Sequence, residues 1–330
     1  MVSVLSTKSL LRNVTASCLE HGGLLAAQEH RLRDTLTVLC YHRVLPRHLK
    51  MQYFDPQLVV TPEMFDLHCA TLARYYDVEP LDRALAAWLA GEAPDRPRAA
   101  ITFDDGYRDN EAYAAPILAR HELKATFYIV SGFVGSSDRP WYDRAGTALM
   151  RLGRDAQAEV GKAKFLSPLE RQNWLDALER EAGSAEPTAD DLMMDQAALR
   201  RLAAAGHEIG SHTVTHPLLD QLGEQERRDE IRRSRIELEA VTSASLSGFS
   251  YPNGNFDAGV KGLVSQAGYH YAVSADPGVN RRAGADTLAL KRWFISEDRL
   301  ADIRGLPSRA LFRMEICGLS QRLFRRGRIS

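Results

Sequence analysis

Short apolar segments alternate with amphipathic segments along most of the chain. The apolar segments have the length of buried strands, and they lie at residues 36–41, 99–103, 125–130, 207–212, 247–251, 269–273 and 288–295. Between several of them, apolar residues recur at helical spacing, which predicts helices over residues 62–75, 80–91, 110–121, 195–205 and 223–242. This alternation predicts an α/β fold in which helices cover a parallel sheet. About seven or eight such units can close into a barrel, in which the chemistry lies at the carboxyl ends of the strands.

Three segments depart from this alternation. The first 35 residues are amphipathic and helical in pattern, and residues 141–200 are rich in Ala, Leu, Arg and Glu, which indicates a mostly helical insertion. The last 20 residues carry five arginines interleaved with apolar residues. We therefore divide the chain into a helical segment at 1–35, a barrel with its insertion at 36–310, and a basic amphipathic tail at 311–330.

The tail and the overall composition bear on location and partners. A basic amphipathic helix can lie on an anionic membrane, and a helix packed on the barrel or a partly disordered tail would give the same pattern. There is no apolar run of membrane-spanning length and no signal-peptide pattern. We expect a cytoplasmic location, with peripheral association at the inner membrane face through residues 311–330 as a hypothesis.

The composition excludes a largely disordered chain, a collagen-like fibre and a small disulfide scaffold. Of the 330 residues, 45% are hydrophobic and 26% charged, which is ordinary for a globular protein. Because 42 basic residues nearly balance 43 acidic ones, we expect no nucleic-acid partner. The four cysteines form no CxxC pair, so a cysteine zinc site is not expected.

Two adjacent carboxylates, Asp104 and Asp105, follow the apolar run that ends at residue 103. Buried carboxylates are costly unless something compensates their charge, and a metal ion would do so. The alternative is a helix N-cap, for which Asp is common.

Two histidines four residues apart, His212 and His216, follow a later predicted strand. On one helical turn they would face the same metal, although one buried and one exposed histidine explain the spacing equally well. One carboxylate and two imidazoles make three ligands and leave a position for water, as a catalytic zinc site requires.

Two further groups also lie at strand ends. The turn PNG at residues 252–254 follows the strand near 250 and can aim backbone N–H groups at a developing oxyanion. His42 follows the first strand, and in a closed barrel it would face the same opening as the other groups.

The sequences TFDDG, SHTVTHP and FSYPNG, in this order, resemble the polysaccharide deacetylases, the NodB-like family-4 carbohydrate esterases. The early YHRV sequence is similar to the poly-N-acetylglucosamine and exopolysaccharide-cluster branch. The resemblance implies a distorted (β/α) barrel of about seven parallel strands and a metal-dependent hydrolase that releases acetate from N-acetylated sugars of a poly- or oligosaccharide. It implies Asp104 as general base, Asp105, His212 and His216 as ligands of a divalent metal, usually Zn²⁺, and Asn253 N–H as oxyanion donor, with Tyr251 of the same motif at the substrate.

Two departures from the family pattern matter. Ser250 stands where the family often has an arginine that pairs with the base, and Arg292 is our hypothesis for its substitute. The late Leu-x-His motif that supplies the general acid is absent, and the resemblance to the exopolysaccharide branch assigns that role to His42.

The sequence leaves several alternatives open. One is a barrel that binds glycan without turnover, which the missing arginine favours. Another is a metal-dependent amidase acting on a small amide, since the same ligands would serve it. The ligand set also suits cobalt or nickel. Trp141, Tyr142 and Tyr107 could stack on sugars or pack inside the protein.

Overall fold

The computed structural model describes residues 7–92, 94–183 and 191–324. The strands are β1 Thr35–Tyr41, β2 Arg43–Val44, β3 Val59–Val60, β4 Asp77–Val78, β5 Arg98–Phe103, β6 Thr126–Ile129, β7 Glu208–Ser211, β8 Gly248–Ser250, β9 Tyr271–Val273, β10 Asn280–Arg281 and β11 Trp293–Phe294. The α-helices are α1 Thr7–His21, α2 Leu24–Arg31, α3 Arg47–Lys50, α4 Pro62–Tyr75, α5 Leu81–Leu89, α6 Ala115–Arg120, α7 Trp141–Arg151, α8 Ala156–Ala163, α9 Pro168–Ala182, α10 Gln196–Ala204, α11 Glu224–Thr242, α12 Ala258–Gln266, α13 Arg309–Ile316 and α14 Leu319–Leu323.

The main sheet has the strand order β10, β1, β5, β6, β7, β8, β9, and β11 also pairs with β1. Seven neighbouring strands, from β11 and β1 through β9, pair in parallel, and β10 joins β1 antiparallel. They curl into a half-barrel with helices around it, which confirms the predicted distorted (β/α) barrel. The carboxyl ends of these strands therefore meet at one opening.

Local signals set most element boundaries. The predicted helix at 62–75 coincides with α4, because Pro62 occupies the first turn and Thr61 Oγ1 accepts the Met64 N–H at 3.4 Å. The N-terminal segment is two helices rather than one, since Gly23 takes a left-handed conformation (φ 71°) between them. The last predicted strand, 288–295, is reduced to the two residues of β11.

The insertion contains α7, α8 and α9, which share a small hydrophobic core of their own. Residues 184–190 of the predicted insertion lie outside the described residues. The helices α7 to α9 leave the barrel after β6 and return before α10, so they stand beside the carboxyl ends of the strands.

The N-terminal helices α1 and α2 pack against α13 near the other end of the described chain. Seven of the eight residues of α13 are buried, and three of them, Ala310, Leu311 and Met314, form a cluster with Ala16 of α1 and Leu25 of α2. Arg313 donates two hydrogen bonds to the Glu29 carboxylate, at 2.9 and 2.6 Å. The apolar side of α13 is thus covered by protein, as in the packed-helix alternative. Residues 325–330 of the predicted tail lie outside the described residues. Within the described residues, we find no helix with the length and apolar character needed to cross a membrane.

Candidate metal and catalytic site

The two aspartates lie where β5 ends. All six residues of β5 are buried, and Asp105 (φ 75°) and Gly106 (φ 87°) then adopt left-handed conformations. A left-handed backbone is uncommon for a residue with a side chain and is typical of functional turns. The turn leaves both carboxylates buried at the opening of the barrel.

Asp104 is paired with Arg292. The guanidinium donates to Oδ1 and Oδ2 of Asp104, both at 2.7 Å, and Arg292 Nε donates to Ser274 O at 2.9 Å. Arg292 also donates to Ser250 Oγ at 3.1 Å, so the small side chain at position 250 borders the guanidinium. Burial, the largest single effect, disfavours the ionised carboxylate, but the charges of Arg292, His212 and His42 together with the Arg292 hydrogen bonds outweigh it and hold the pKa of Asp104 well below its usual range. The missing arginine at position 250 was the reason to consider a non-catalytic barrel. That reason no longer holds, because Arg292 contacts Asp104 instead.

Asp105, His212 and His216 form a second cluster. Asp105 Oδ1 lies 3.4 Å from His212 Nε2 and 3.5 Å from His216 Nε2, and the three candidate ligand atoms lie within 4.8 Å of one another. This oxygen is buried and has no hydrogen-bond partner. His212 Nδ1 donates to Ser250 O at 2.8 Å, which fixes the ring with Nε2 toward Asp105. An orphaned carboxylate oxygen facing two imidazoles, one of them held by a backbone carbonyl, fits a divalent metal.

The chain between the two histidines is an irregular loop, and the expectation of a helical turn there is wrong. Thr213 (φ 69°) and His216 (φ 58°) are left-handed, which breaks the helical path. Glu230 of α11 stabilises the loop: its carboxylate accepts the N–H groups of Val214 and Thr215 at 2.8 and 2.9 Å, and the Thr215 hydroxyl at 2.8 Å. Sequence reasoning missed Glu230, because nothing in a charged helix marks the one carboxylate that faces a loop.

His42 reaches the same opening from the end of β1. One of its ring nitrogens, Cys40 Sγ and an Asp104 carboxylate oxygen lie within 4.8 Å of one another. Its Nδ1 is buried and has no hydrogen-bond partner, and its ring packs edge-on against Phe294. Burial lowers the pKa of His42, while the negative charges of Asp105 and Asp104 oppose that shift.

Tyr251 and Asn253, both from the sequence FSYPNG, have different environments. Asn253 is left-handed (φ 57°) in a short 3₁₀ turn, and its Oδ1 accepts a hydrogen bond from Lys164 Nζ at 2.7 Å. The Tyr251 side chain is held inside the protein, and its assignment to the substrate stays a prediction. Its side chain is fully buried, its hydroxyl donates to Leu288 O at 2.9 Å, and its N–H bonds to Val273 O at 3.2 Å.

The insertion forms one side of the site. The Tyr142 ring of α7 lies edge-on to the His216 ring, with centroids 5.1 Å apart, and Lys164 follows α8. Of the three aromatic residues proposed for sugar stacking, Tyr107 is fully buried beneath the Arg43 guanidinium and packs inside the protein. Trp141 is partly exposed and carries the Arg171 guanidinium over its ring at 4.9 Å.

Sequence comparisons match the chain to a known family. The polysaccharide deacetylase family model matches residues 91–272. The putative polysaccharide deacetylase YxkH of Bacillus subtilis (strain 168) is 20% identical over 249 residues, which are 75% of this chain and 67% of that protein.

Solved structures share the fold. The Streptococcus pyogenes deacetylase PplD in complex with acetate aligns with a TM-score of 0.58 at 19% identity, over 82% of this chain and 96% of that one. IcaB from Ammonifex degensii aligns with a TM-score of 0.57 at 19% identity, over 80% and 93%. The BpsB deacetylase domain from Bordetella bronchiseptica aligns with a TM-score of 0.55 at 17% identity, over 79% and 96%.

Proposed function

The chain belongs to the polysaccharide deacetylase family, a family of hydrolases, and from that premise we propose that it is a metal-dependent N-deacetylase of an exopolysaccharide-type poly- or oligosaccharide. The observation that carries the proposal is the pair of buried clusters at one opening: Asp104 bound by Arg292, and Asp105 facing His212 and His216. One cluster suits a base, and the other suits a metal.

Deacetylases of this family generally use a divalent metal, and we propose Zn²⁺ here. Asp105, His212 and His216 would hold it, because one oxygen and two nitrogen ligands with an open position suit catalytic zinc. When bound there, the ion would polarise the acetyl carbonyl and lower the pKa of water.

Asp104 is proposed as the general base. Its carboxylate stays ionised because Arg292 is hydrogen-bonded to both oxygens, so it can accept a proton from the attacking water. The same two bonds fix the plane of the carboxylate, which restricts the direction from which the proton is taken.

Asn253 and His42 complete the proposed reaction. The Asn253 N–H would donate a hydrogen bond to the carbonyl oxygen as it becomes an oxyanion. His42, once protonated, would give its proton to the sugar nitrogen as the carbon–nitrogen bond breaks. The products are acetate and a free amino sugar.

The test is acetate release from a panel of N-acetyl and O-acetyl oligosaccharides by zinc-loaded protein, with His42→Ala alongside. We expect wild type to release acetate from N-acetylated members and His42→Ala to lose this activity while retaining zinc. No release from any sugar by zinc-bound wild type would favour the glycan-binding alternative. An unchanged rate and pH profile in His42→Ala would refute its role as the acid.

A further inference from the structure

Two cations, Lys164 and Arg171, lie on the insertion side of the site. Among the described residues, neither Lys164 nor Arg171 has a carboxylate within ion-pair distance, whereas Arg144 and Arg154 on the same insertion each have one. Arg171 is 6% exposed and donates to Gln221 Oε1 at 3.0 Å. Gln221 Nε2 in turn donates to Lys164 O at 2.8 Å, so one amide ties the two segments together.

Lys164 is the cation nearer the proposed chemistry. Its ammonium donates to the side chain of Asn253 at 2.7 Å, the residue whose N–H we assign to the oxyanion. It is also close enough to Asp105 for their charges to interact. Burial lowers the pKa of Lys164, because a desolvated ammonium is disfavoured when only a neutral oxygen accepts from it.

Two carboxylates, Asp105 and Asp55, are close enough to act on Lys164, and neither forms an ion pair with it. Asp105 faces the two histidines of the proposed metal site. Asp55 attracts the ammonium from beyond ion-pair distance, and its Oδ1 accepts from Gln157 Nε2 at 2.9 Å. Within the described part of the chain, a partly buried positive charge is therefore left without an ion pair beside the place where the acetylated sugar would bind.

We propose that Lys164 is a specificity-determining residue that pairs with an anionic substituent, a carboxylate or a phosphate, on the acetylated sugar. The inference rests on the proposed function, because it assigns a substrate class to the same site. A negative group on the sugar would restore the charge balance that the described side chains do not supply, and the pairing would form in a partly desolvated setting where it is strong.

The test measures binding by the zinc-loaded full chain, using saturation-transfer NMR. The probes are N-acetylglucosamine, its 6-phosphate, and a disaccharide of glucuronate and N-acetylglucosamine. We expect at least one anionic probe to bind about tenfold more tightly than the neutral sugar. Lys164→Gln removes this preference and Lys164→Arg largely restores it. Lys162→Gln, which changes an exposed lysine two residues earlier, leaves it intact.

The two anionic probes separate a uronate from a phosphate as the source of the charge. Equal affinity for all three probes, or a preference that survives in Lys164→Gln, would overturn the inference. Acetate release is followed in the same samples. Release without any anion preference would overturn this inference alone, and preference without release from any sugar would count against the proposed function alone.

Discussion

Arg292 illustrates how one side chain can replace another from a different place in the sequence. Position 250 holds a serine, and the guanidinium that contacts Asp104 comes from just before β11. Arg292 was open to prediction as a hypothesis, although it precedes β11 and so does not share the carboxyl strand ends at which the other site residues lie. Lys164 was not, because its approach to Asn253 depends on how α8 and α9 pack, and no local pattern encodes that.

Replacing Arg292 should change the pH dependence of the reaction. In Arg292→Gln the Asp104 carboxylate stays buried without its cation, and burial alone raises a carboxyl pKa by several units. A larger fraction of Asp104 is then protonated at low pH, so kcat/KM should fall by about 100-fold or more at pH 6 and recover as the pH rises.

The measurement is a pH profile of kcat/KM, with thermal unfolding recorded to confirm that the variant is folded. The exposed Arg281 provides a matched control as Arg281→Gln. The same proportional loss at every pH would contradict the role given to Arg292.

At the scale of elements, the helices and strands could be predicted from the sequence, whereas the paths of the loops could not. Helices such as α4 carry capping and periodicity signals within their own residues. The loop from Thr213 to His216 depends instead on Glu230, which lies on α11. The HxxxH spacing suggested a helical turn, whereas two left-handed residues give another path that still brings both histidines to Asp105.

Glu230 should therefore affect metal binding without touching the metal site. Glu230→Ala removes three hydrogen bonds that hold the loop carrying His216, and we expect the affinity for Zn²⁺ to fall about 10- to 100-fold. The affinity is measured by competition with a chromogenic chelator. Asp229→Ala, at the exposed preceding residue, serves as control. Equal affinities of the two variants would show that the loop needs no such support.

At the scale of the whole molecule, a polar cluster lies at the end of the barrel opposite the site. Glu208, the first residue of β7, accepts hydrogen bonds from Tyr271 Oη at 2.6 Å and Thr126 Oγ1 at 2.7 Å. Burial, with a contribution from Asp82, raises the pKa of Glu208 to about 7. Its ordinary value is 4.5, so the folded protein retains a proton that the unfolded chain has released between these pH values.

This cluster should make the protein less stable as pH rises. The folded state binds more protons than the unfolded chain between pH 4.5 and 7. The contribution of Glu208 to the stability of the fold is therefore fully present below pH 4.5 and is lost as the pH rises to about 7. Relative to Glu208→Gln, the free energy of unfolding of wild type should fall by about 3 kcal/mol across this window. Urea unfolding at several pH values measures it, with the exposed Glu63→Gln as control. Parallel curves for wild type and Glu208→Gln would refute the account.

The central claim is that Asp104 acts as the general base and the adjacent Asp105 acts as a metal ligand. The most direct test measures bound zinc and acetate release in parallel for Asp104→Asn and Asp105→Asn. Wild type should bind one zinc per chain and release acetate from an N-acetylated oligosaccharide. Asp104→Asn should keep the zinc and lose about 100-fold or more in rate, and Asp105→Asn should lose the zinc as well as the activity. Near-wild-type activity in Asp104→Asn, or full zinc binding by Asp105→Asn, would contradict the account.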